Sequence, residues 1–250
     1  MYAVDSDDRD AAGVNSDFYV YGLDENRSAD TTPPSIDAFY LNHTSFENGS
    51  KVNDSPVVIA EISDDRSVNL SSAGIGHQML LTLDGRSLTD TPLYYTPYGD
   101  GTPGGRLSYS LDKLSVGEHE LRLRVWDTSG NSTTGTIEFN VVEGLSPVIY
   151  DVYADANPAR YETNFYVTHD RPDALVTVRI EVMNMLGQPV WESSVRGMSD
   201  ELRSFPVNWN LTDHAGRRVG RGIYLYRATI VAEGGETSAT RAKRIAVTGR

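Results

Sequence analysis

Apolar and polar residues alternate along much of this chain, as they do in strands that bury one face of a sheet. In residues 176–182, valine and isoleucine are separated by Thr177, Arg179 and Glu181. A period of two places successive side chains on opposite faces of a strand. The same pattern recurs at 79–83, 121–126, 137–141 and 223–230. No window of about a dozen residues shows the 3.6-residue period of an amphipathic helix, so strands are predicted throughout.

Turn-forming residues separate these strands. Asp84-Gly85, Ser129-Gly130 and Gly234-Gly235 favour tight turns, and Gly187 follows the strand at 176–182 in the same way. Several short strands at spacings of about 8–12 residues, without intervening helices, are typical of β-sandwiches. The predicted fold class is therefore all-β, in the form of tandem immunoglobulin-like β-sandwiches.

Two joints divide the chain. Residues 30–34 (Asp-Thr-Thr-Pro-Pro) favour an extended link, because paired prolines restrict the backbone. A shorter joint lies at 144–147. We predict one sandwich at 35–143 and a second at 146–250. Residues 18–21 (Phe-Tyr-Val-Tyr) are predicted to form a strand without a local partner. This strand either pairs within the first sandwich or is the last strand of a missing upstream domain. We interpret residues 1–29 in the second way, as the trailing strand of a missing upstream domain, and the chain as a fragment of a longer protein.

Composition excludes several classes of chemistry. The 250 residues include no cysteine, which removes thiolate nucleophiles, disulfides and cysteine-ligated metals. The net charge of −13 argues against nucleic acid as a partner, because phosphate binding requires a basic face. Residues 147–250 hold 13 basic and 12 acidic side chains, whereas residues 1–146 hold 9 and 23. No apolar run reaches the roughly 18 residues of a membrane helix, and the first ten residues lack an export signal.

Groups that could carry catalysis or bind a metal are sparse. The histidines show no metal-ligand spacing, so structural roles are predicted for His43, His77, His119, His169 and His214. The acidic run at 5–10 lacks the glycine and distal glutamate of a calcium loop and is interpreted as a solvated turn. No Gly-x-Ser-x-Gly elbow is present. We predict no catalytic residue, no metal and no cofactor.

Aromatic residues supply the remaining candidates. Trp126 and Trp209 lie in strand-like segments, so packing in the sandwich cores is predicted for both rings, with a sugar-stacking platform as the alternative. Tyr94, Tyr95 and Tyr98 lie in a proline-containing segment that is unsuited to a central strand. We predict an exposed aromatic loop there, and these three tyrosines are candidate ligand contacts.

An ordered set of motifs occupies residues 146–250. Each motif is short, and together they comprise Asn157-Pro158, the Gly187 turn, Trp209 with Asp213 and Gly216, Gly222-Ile223-Tyr224, and Lys243-Arg244. The set resembles the C-terminal domain carried by cargo of the type IX secretion system, which is similar to the FlgD-type immunoglobulin-like module. The resemblance implies a sorting and docking motif at Asn157, Pro158, Gly187, Gly222, Tyr224 and Lys243.

Further motifs at 2–5, 30–34, 74–77, 83–85 and 117–121 extend the resemblance. With the terminal module, they resemble the tail of the gingipain-family sortase of that secretion system. In that family a Cys–His peptidase domain lies N-terminal to this region, and this chain has no cysteine for such chemistry. The resemblance therefore implies a non-catalytic C-terminal fragment of a cell-surface cysteine peptidase from a Bacteroidota-type bacterium.

The resemblance also implies a location and partners. The protein is expected to be exported through the periplasm to the outer membrane and cell surface. It is expected to dock on an outer-membrane β-barrel shuttle protein and other attachment-complex proteins, with no membrane span. Lys243 and Arg244 are expected on a terminal edge strand that could extend a partner's sheet. The alternative function is a carbohydrate-binding or adhesive immunoglobulin-like surface module, suggested by Tyr94, Tyr95 and Tyr98.

Overall fold

The computed structural model describes residues 2–4, 10–12, 30–71, 76–239 and 241–249. Residues 1–31 form one unit and residues 32–250 another. In the first unit, β1 (Tyr2–Val4) pairs antiparallel with β2 (Asp10–Ala12). The strand predicted at 18–21 and most of the acidic run at 5–10 lie outside the described residues.

Strands make up the regular structure of the second unit, apart from one 3-10 turn at Thr91–Tyr94. The first group is β3 (Ser35–Leu41), β4 (Lys51–Val52), β5 (Val57–Ser63), β6 (Leu80–Leu83), β7 (Arg86–Leu88), β8 (Tyr95–Pro97), β9 (Gly104–Ser110), β10 (Gly117–Trp126) and β11 (Ser132–Val141). The second group is β12 (Ile149–Ala154), β13 (Thr163–His169), β14 (Leu175–Met183), β15 (Pro189–Met198), β16 (Val207–Trp209), β17 (Gly222–Ala232), β18 (Gly235–Ser238) and β19 (Lys243–Val247).

The first group forms a two-layered sandwich. One sheet has the order β4-β11-β10-β6-β7, and the other has the order β3-β5-β9-β8. Alternate side chains of β10, namely Leu121, Leu123 and Val125, are fully buried in a core shared with Val58 and Leu107 of the opposite sheet. The predicted alternation at 121–126 is therefore the alternation between core and solvent.

The second group forms a sandwich with its own core. A three-stranded sheet, β12-β13-β16, packs against β15-β14-β17, and β17 continues to both β18 and β19 along its other side. In β14 the fully buried residues are Val176, Val178, Ile180 and Val182, as the alternation predicted. The prediction of an all-β fold of tandem immunoglobulin-like sandwiches is confirmed.

The two tryptophans differ in environment. Trp209 is fully buried in the second core, as predicted. Core packing of Trp126 was a wrong prediction, because its ring lies on the outer face of β10, half-buried beside His77 and Arg124. The phase of β10 explains the difference: Val125 points into the core, so the next residue points outward.

A buried arginine fixes the joint between the sandwiches. Arg171 is 7% exposed, and it forms an ion pair with Asp170 at 2.6 Å and donates to the carbonyl of Leu145 in the joint. Asp170 in turn accepts from the amide of Val148 at 2.8 Å. Direct contacts across the joint include a stack of the His43 and Tyr150 rings at 4.3 Å. The two sandwiches therefore contact each other through specific side chains.

Candidate functional site

Most residues of the predicted sorting motif meet along β17 and β19. Gly222 and Tyr224 lie on β17, opposite Val247 and Ile245, and Lys243 on β19 lies opposite Tyr226. Asn157 and Pro158 belong to the connection between β12 and β13 and lie against the outer side of β19. The tertiary structure thus brings together side chains that are separated by more than eighty residues, as Asn157 and Arg244 are by 87.

Asn157 covers the outer edge of the terminal strand. Its side-chain amide donates to the carbonyl of Arg244 at 3.0 Å, and its side-chain oxygen accepts from the amide of Ala246 at 3.0 Å. Ala159 continues the cover, because its amide donates to the carbonyl of Ala246 at 2.7 Å. The expectation that β19 offers a free edge to a partner's sheet was wrong, since these groups already occupy that edge.

The other two side chains on these strands have intramolecular partners. The ammonium of Lys243 is hydrogen-bonded to the carboxylate of Asp151. The hydroxyl of Tyr224 donates to the carbonyl of Gly220 at 3.0 Å, and its ring meets Trp209 edge-on with 6.0 Å between centroids. Both residues therefore help to hold the terminal strands in place. Only the ammonium and the partly exposed ring are available to a partner.

Gly187 forms the hairpin turn between β14 and β15. Its φ of +79° lies in the left-handed region, which glycine adopts without strain. Asn184 fixes the turn, because its side-chain oxygen accepts from the amides of Leu186 and Gln188 at 3.0 Å each. The tip is apolar and exposed, with Leu186 84% accessible. The hairpin therefore presents an apolar tip that is exposed to solvent and hydrogen-bonded through Asn184.

The register places this tip at the same end of the sandwich as the start of β17. Met183 pairs with Leu225, so the residues after Met183 lie beside the residues before Leu225. We call this end, with the tip and the neighbouring connections, the distal end. Its exposed apolar side chains are Tyr161, Met185, Leu186 and Ile223. Its arginines include Arg160, Arg218 and Arg221, and the first two lie together because Arg218 donates to the carbonyl of Arg160 at 2.7 Å.

The three candidate tyrosines of the first sandwich do not form one exposed platform. Exposure of Tyr95 was a wrong prediction: this residue begins edge strand β8 and is only 8% exposed, and burial raises its pKa to about 12. Tyr94 packs edge-on against Tyr109, which contributes to the core side of β9. Tyr98 instead donates to Glu61 at 2.5 Å, and this bond raises the pKa of Tyr98 to about 12.

Two histidines have neighbouring groups that shift the pKa of the imidazole. His119 has acceptors at both ring nitrogens, the carboxylate of Asp84 at 2.6 Å and the carbonyl of Ser115 at 2.8 Å. Burial opposes the charged imidazole, but the hydrogen bonds to Ser115 and Asp84 outweigh it and raise the pKa of His119. His169 is fully buried, and burial with the nearby Arg171 lowers its pKa to about 4.

Neither a metal site nor a spanning helix is seen in the described part of the chain. No group of three or more His, Asp or Glu side chains there is arranged to hold a metal ion. Within the same residues, no helix combines the length and apolar character needed to cross a membrane.

Several residues that shape the candidate site were missed in the sequence. Asp151, the partner of Lys243, is 92 positions away from it, and no local pattern links the two. The exposed apolar group of the distal end draws on two separate connections, β12–β13 and β14–β15, and on the start of β17. Asn184 could have been identified, because asparagine three residues before a turn glycine favours a side-chain-capped turn.

Comparison with known proteins gives one informative likeness. A scan of protein-family models found no match, and a search of curated proteins found none either. Among solved structures, the chain is similar to dimeric latent PorU from Porphyromonas gingivalis, with 30% sequence identity and a TM-score of 0.52 over 100% of this chain. The chain spans 23% of that PorU chain.

Two further solved structures are more distant. The N-terminal Ig1-2 module of the Drosophila receptor protein tyrosine phosphatase DLAR is 12% identical, with coverage of 88% of this chain and 100% of that chain and a TM-score of 0.34. Fibronectin(III)-like modules of Clostridium thermocellum CbhA are 11% identical, with coverage of 87% and 94% and a TM-score of 0.29.

Proposed function

We propose that this chain is the non-catalytic C-terminal part of a PorU-like cell-surface protein. In this proposal its second sandwich targets the protein through the type IX secretion system and docks it at the outer membrane. The observation that carries the proposal is the 30% identity to PorU across the whole chain. The parent would be a gingipain-family peptidase and sortase whose catalytic domain lies outside this chain, which has no cysteine.

The geometry of the second sandwich supports a docking role. Asn157 and Ala159 close the edge of β19, so the terminal strand is held within its own sheet. The partner must therefore bind side chains rather than add a strand at β19. Lys243, the Gly187 hairpin and the distal end remain accessible and belong to one sandwich with a single core. We propose that an outer-membrane β-barrel shuttle protein binds there, with other attachment-complex proteins.

Secretion of a reporter tests this proposal. The full chain is fused behind a periplasmically exported fluorescent reporter and expressed in a bacterium that has a type IX secretion system. We expect the reporter at the cell surface, where added protease removes it from intact cells. Retention of the reporter in the periplasm would contradict the proposal.

A pair of variants separates docking from folding. Lys243→Ala removes a motif ammonium, and Arg241→Ala removes a neighbouring exposed charge outside the motif. We expect Lys243→Ala to reduce surface display and Arg241→Ala to leave it unchanged. The unfolding free energies of the two purified variants should differ by no more than about 1 kcal/mol, the contribution of the exposed Lys243–Asp151 ion pair. Equal display of both variants would remove Lys243 from the docking site.

A further inference from the structure

A cleft lies between the two sandwiches, beside the joint that connects them. Its volume is about 650 Å³, within the range of about 300–1,000 Å³ that is typical of ligand pockets. The first sandwich contributes 53–55 and Lys113, the joint contributes 142–145, and the second sandwich contributes 171–175 and 233–234. We call this the joint cleft. Residues 233–234 follow the end of β17, whereas the distal end adjoins its start, so the joint cleft lies at the opposite end of the second sandwich.

Carboxylates dominate the charged lining of the joint cleft. They come from both sides of the joint and are Asp54, Glu143, Asp173 and Glu233. Asp54 forms an ion pair with Lys113 at 3.0 Å, whereas the other three carboxylates form no ion pair with a described residue. The second cation of the lining, Arg171, is already paired with the buried Asp170. The joint cleft therefore carries an excess of negative charge.

Lys113 is an internal cation placed among carboxylates from both sandwiches. A hydrogen bond to Asp54 and the charge of that residue, followed by the charges of Glu233 and Glu143, raise the pKa of Lys113. The side chain of Lys113 is nevertheless 74% exposed. An exposed lysine gains little from such a pair, because water screens the charges and the flexible side chain must be ordered. A better-placed cation from a partner can therefore replace it.

An exposed apolar patch adjoins the joint cleft. Leu175 lines the cleft and is 49% exposed. Met198 on β15 lies opposite Leu175, and Val231 on β17 lies opposite Thr177, two residues further along β14. Side chains two residues apart on a strand share a face, so Leu175, Met198 and Val231 lie on the same face, and all three are exposed. A ligand that fits both features carries a cation next to apolar groups.

We propose that the joint cleft binds an arginine side chain of a partner protein, presented by an extended segment whose neighbouring apolar residues cover Leu175, Met198 and Val231. Charge complementarity favours this occupant, because a cation is attracted to carboxylates from both sandwiches and replaces Lys113 beside Asp54. Arginine fits better than lysine, since its planar guanidinium donates to two carboxylates at once. The bound side chain links the two sandwiches, because carboxylates on both sides of the cleft share one guanidinium.

A matched pair of peptides tests this proposal on the full chain. The first probe is Gly-Leu-Arg-Leu-Gly, amidated at its C-terminus and carrying an uncharged fluorophore at its N-terminus. The second probe has citrulline, an uncharged analogue, in place of arginine. Fluorescence anisotropy is measured with the chain at up to about 1 mM. We expect a Kd of about 0.1–1 mM for the arginine peptide, which rises with ionic strength, and no binding of the citrulline peptide.

Charge variants distinguish the joint cleft from the rest of the acidic surface. Glu143→Gln and Glu233→Gln should each weaken binding of the arginine peptide about threefold. Lys113→Gln should strengthen it about threefold, because it removes the internal competitor. Asp65→Asn is the matched control, since Asp65 follows the end of β5 whereas the cleft residues 53–55 precede its start, and this variant should bind like the wild-type chain. Circular dichroism checks that each variant is folded.

Several results would overturn the proposal. They are equal binding of the two peptides, no binding of the arginine peptide at up to about 1 mM chain, and unchanged or weaker binding by Lys113→Gln. Binding of calcium ions or spermine without binding of the arginine peptide would also overturn it, in favour of a small cation. Secretion does not enter these measurements, so every outcome leaves the proposed function to its own test.

Discussion

Replacing Trp209 by alanine tests whether the second sandwich is organised around this ring. Trp209 is fully buried, its centroid lies 6.2 Å from that of Phe165 and 5.9 Å from that of Trp191, and its Nε1 donates to the carbonyl of Thr212 at 2.9 Å. A buried tryptophan removes about 200 Å² from water, or about 5 kcal/mol at about 25 cal/mol per Å². Because alanine keeps part of that area and the core relaxes partly, we expect a loss of about 3–5 kcal/mol.

Trp126 provides the matched control, since it is the same residue type at the end of a strand in the first sandwich. Its ring is half-buried on the outer face, 4.2 Å from the His77 ring and 4.3 Å from the guanidinium carbon of Arg124. A cation–π contact of this kind contributes about 0.5–1 kcal/mol. We therefore expect Trp126→Ala to lower the unfolding free energy by no more than about 1.5 kcal/mol.

Urea unfolding of the full chain, followed by far-ultraviolet circular dichroism, measures both losses without using tryptophan fluorescence. The two sandwiches can unfold separately, so hydrogen exchange read by mass spectrometry assigns each loss to its sandwich. Trp209→Ala should accelerate exchange in β14 and β17, and Trp126→Ala only in the first sandwich. Equal losses for the two variants, or a loss below about 1 kcal/mol for Trp209→Ala, would refute the reasoning.

Three further predictions concern single contacts. The charged His119 is stabilised by Asp84 and Ser115, so its contribution to stability is complete below the unfolded pKa of about 6.5 and is lost as pH rises through the raised folded pKa. His119→Gln should therefore flatten the decline in unfolding free energy as the pH rises above about 6.5, and an unchanged profile would contradict this. Asn157→Ala removes two hydrogen bonds to β19, so we expect the unfolding free energy to fall by about 1–2 kcal/mol and the amide of Ala246 to exchange faster. Hydrogen-exchange protection of Ala246 equal to that in the wild-type chain would contradict the role of Asn157 in covering this edge. Gly187→Ala, at a φ of +79°, should lower the thermal midpoint through a loss of about 1 kcal/mol, whereas Gly99→Ala, where no atom lies within 4 Å of an added Cβ, should have no such effect.

The sequence by itself determined the strands and much of the core. Alternation of apolar and polar residues repeats every two residues, so a short segment of the sequence is enough to show it. In β14 the residues that this pattern predicted to be buried are buried, namely Val176, Val178, Ile180 and Val182. The phase of the same alternation also carried the information that Trp126 faces outward, since Val125 is buried. The size of a tryptophan ring does not by itself place it in a core, because the phase of the strand decides which face the ring occupies. Gly187 was likewise predictable as a turn, because the required backbone conformation is a local property.

Only the tertiary structure decided which edges are free and which side chains meet. The cover of β19 depends on Asn157, 87 residues before the carbonyl it binds, and Tyr95 is buried because β8 pairs with β9. No periodic pattern in the sequence indicates either contact, because the tertiary fold, rather than spacing along one strand, brings the partners together. The position of β15 at the end of its sheet was undetermined for the same reason. Whether a strand is central or terminal depends on the order of strands in the sheet, and alternation specifies only which face of a strand is apolar.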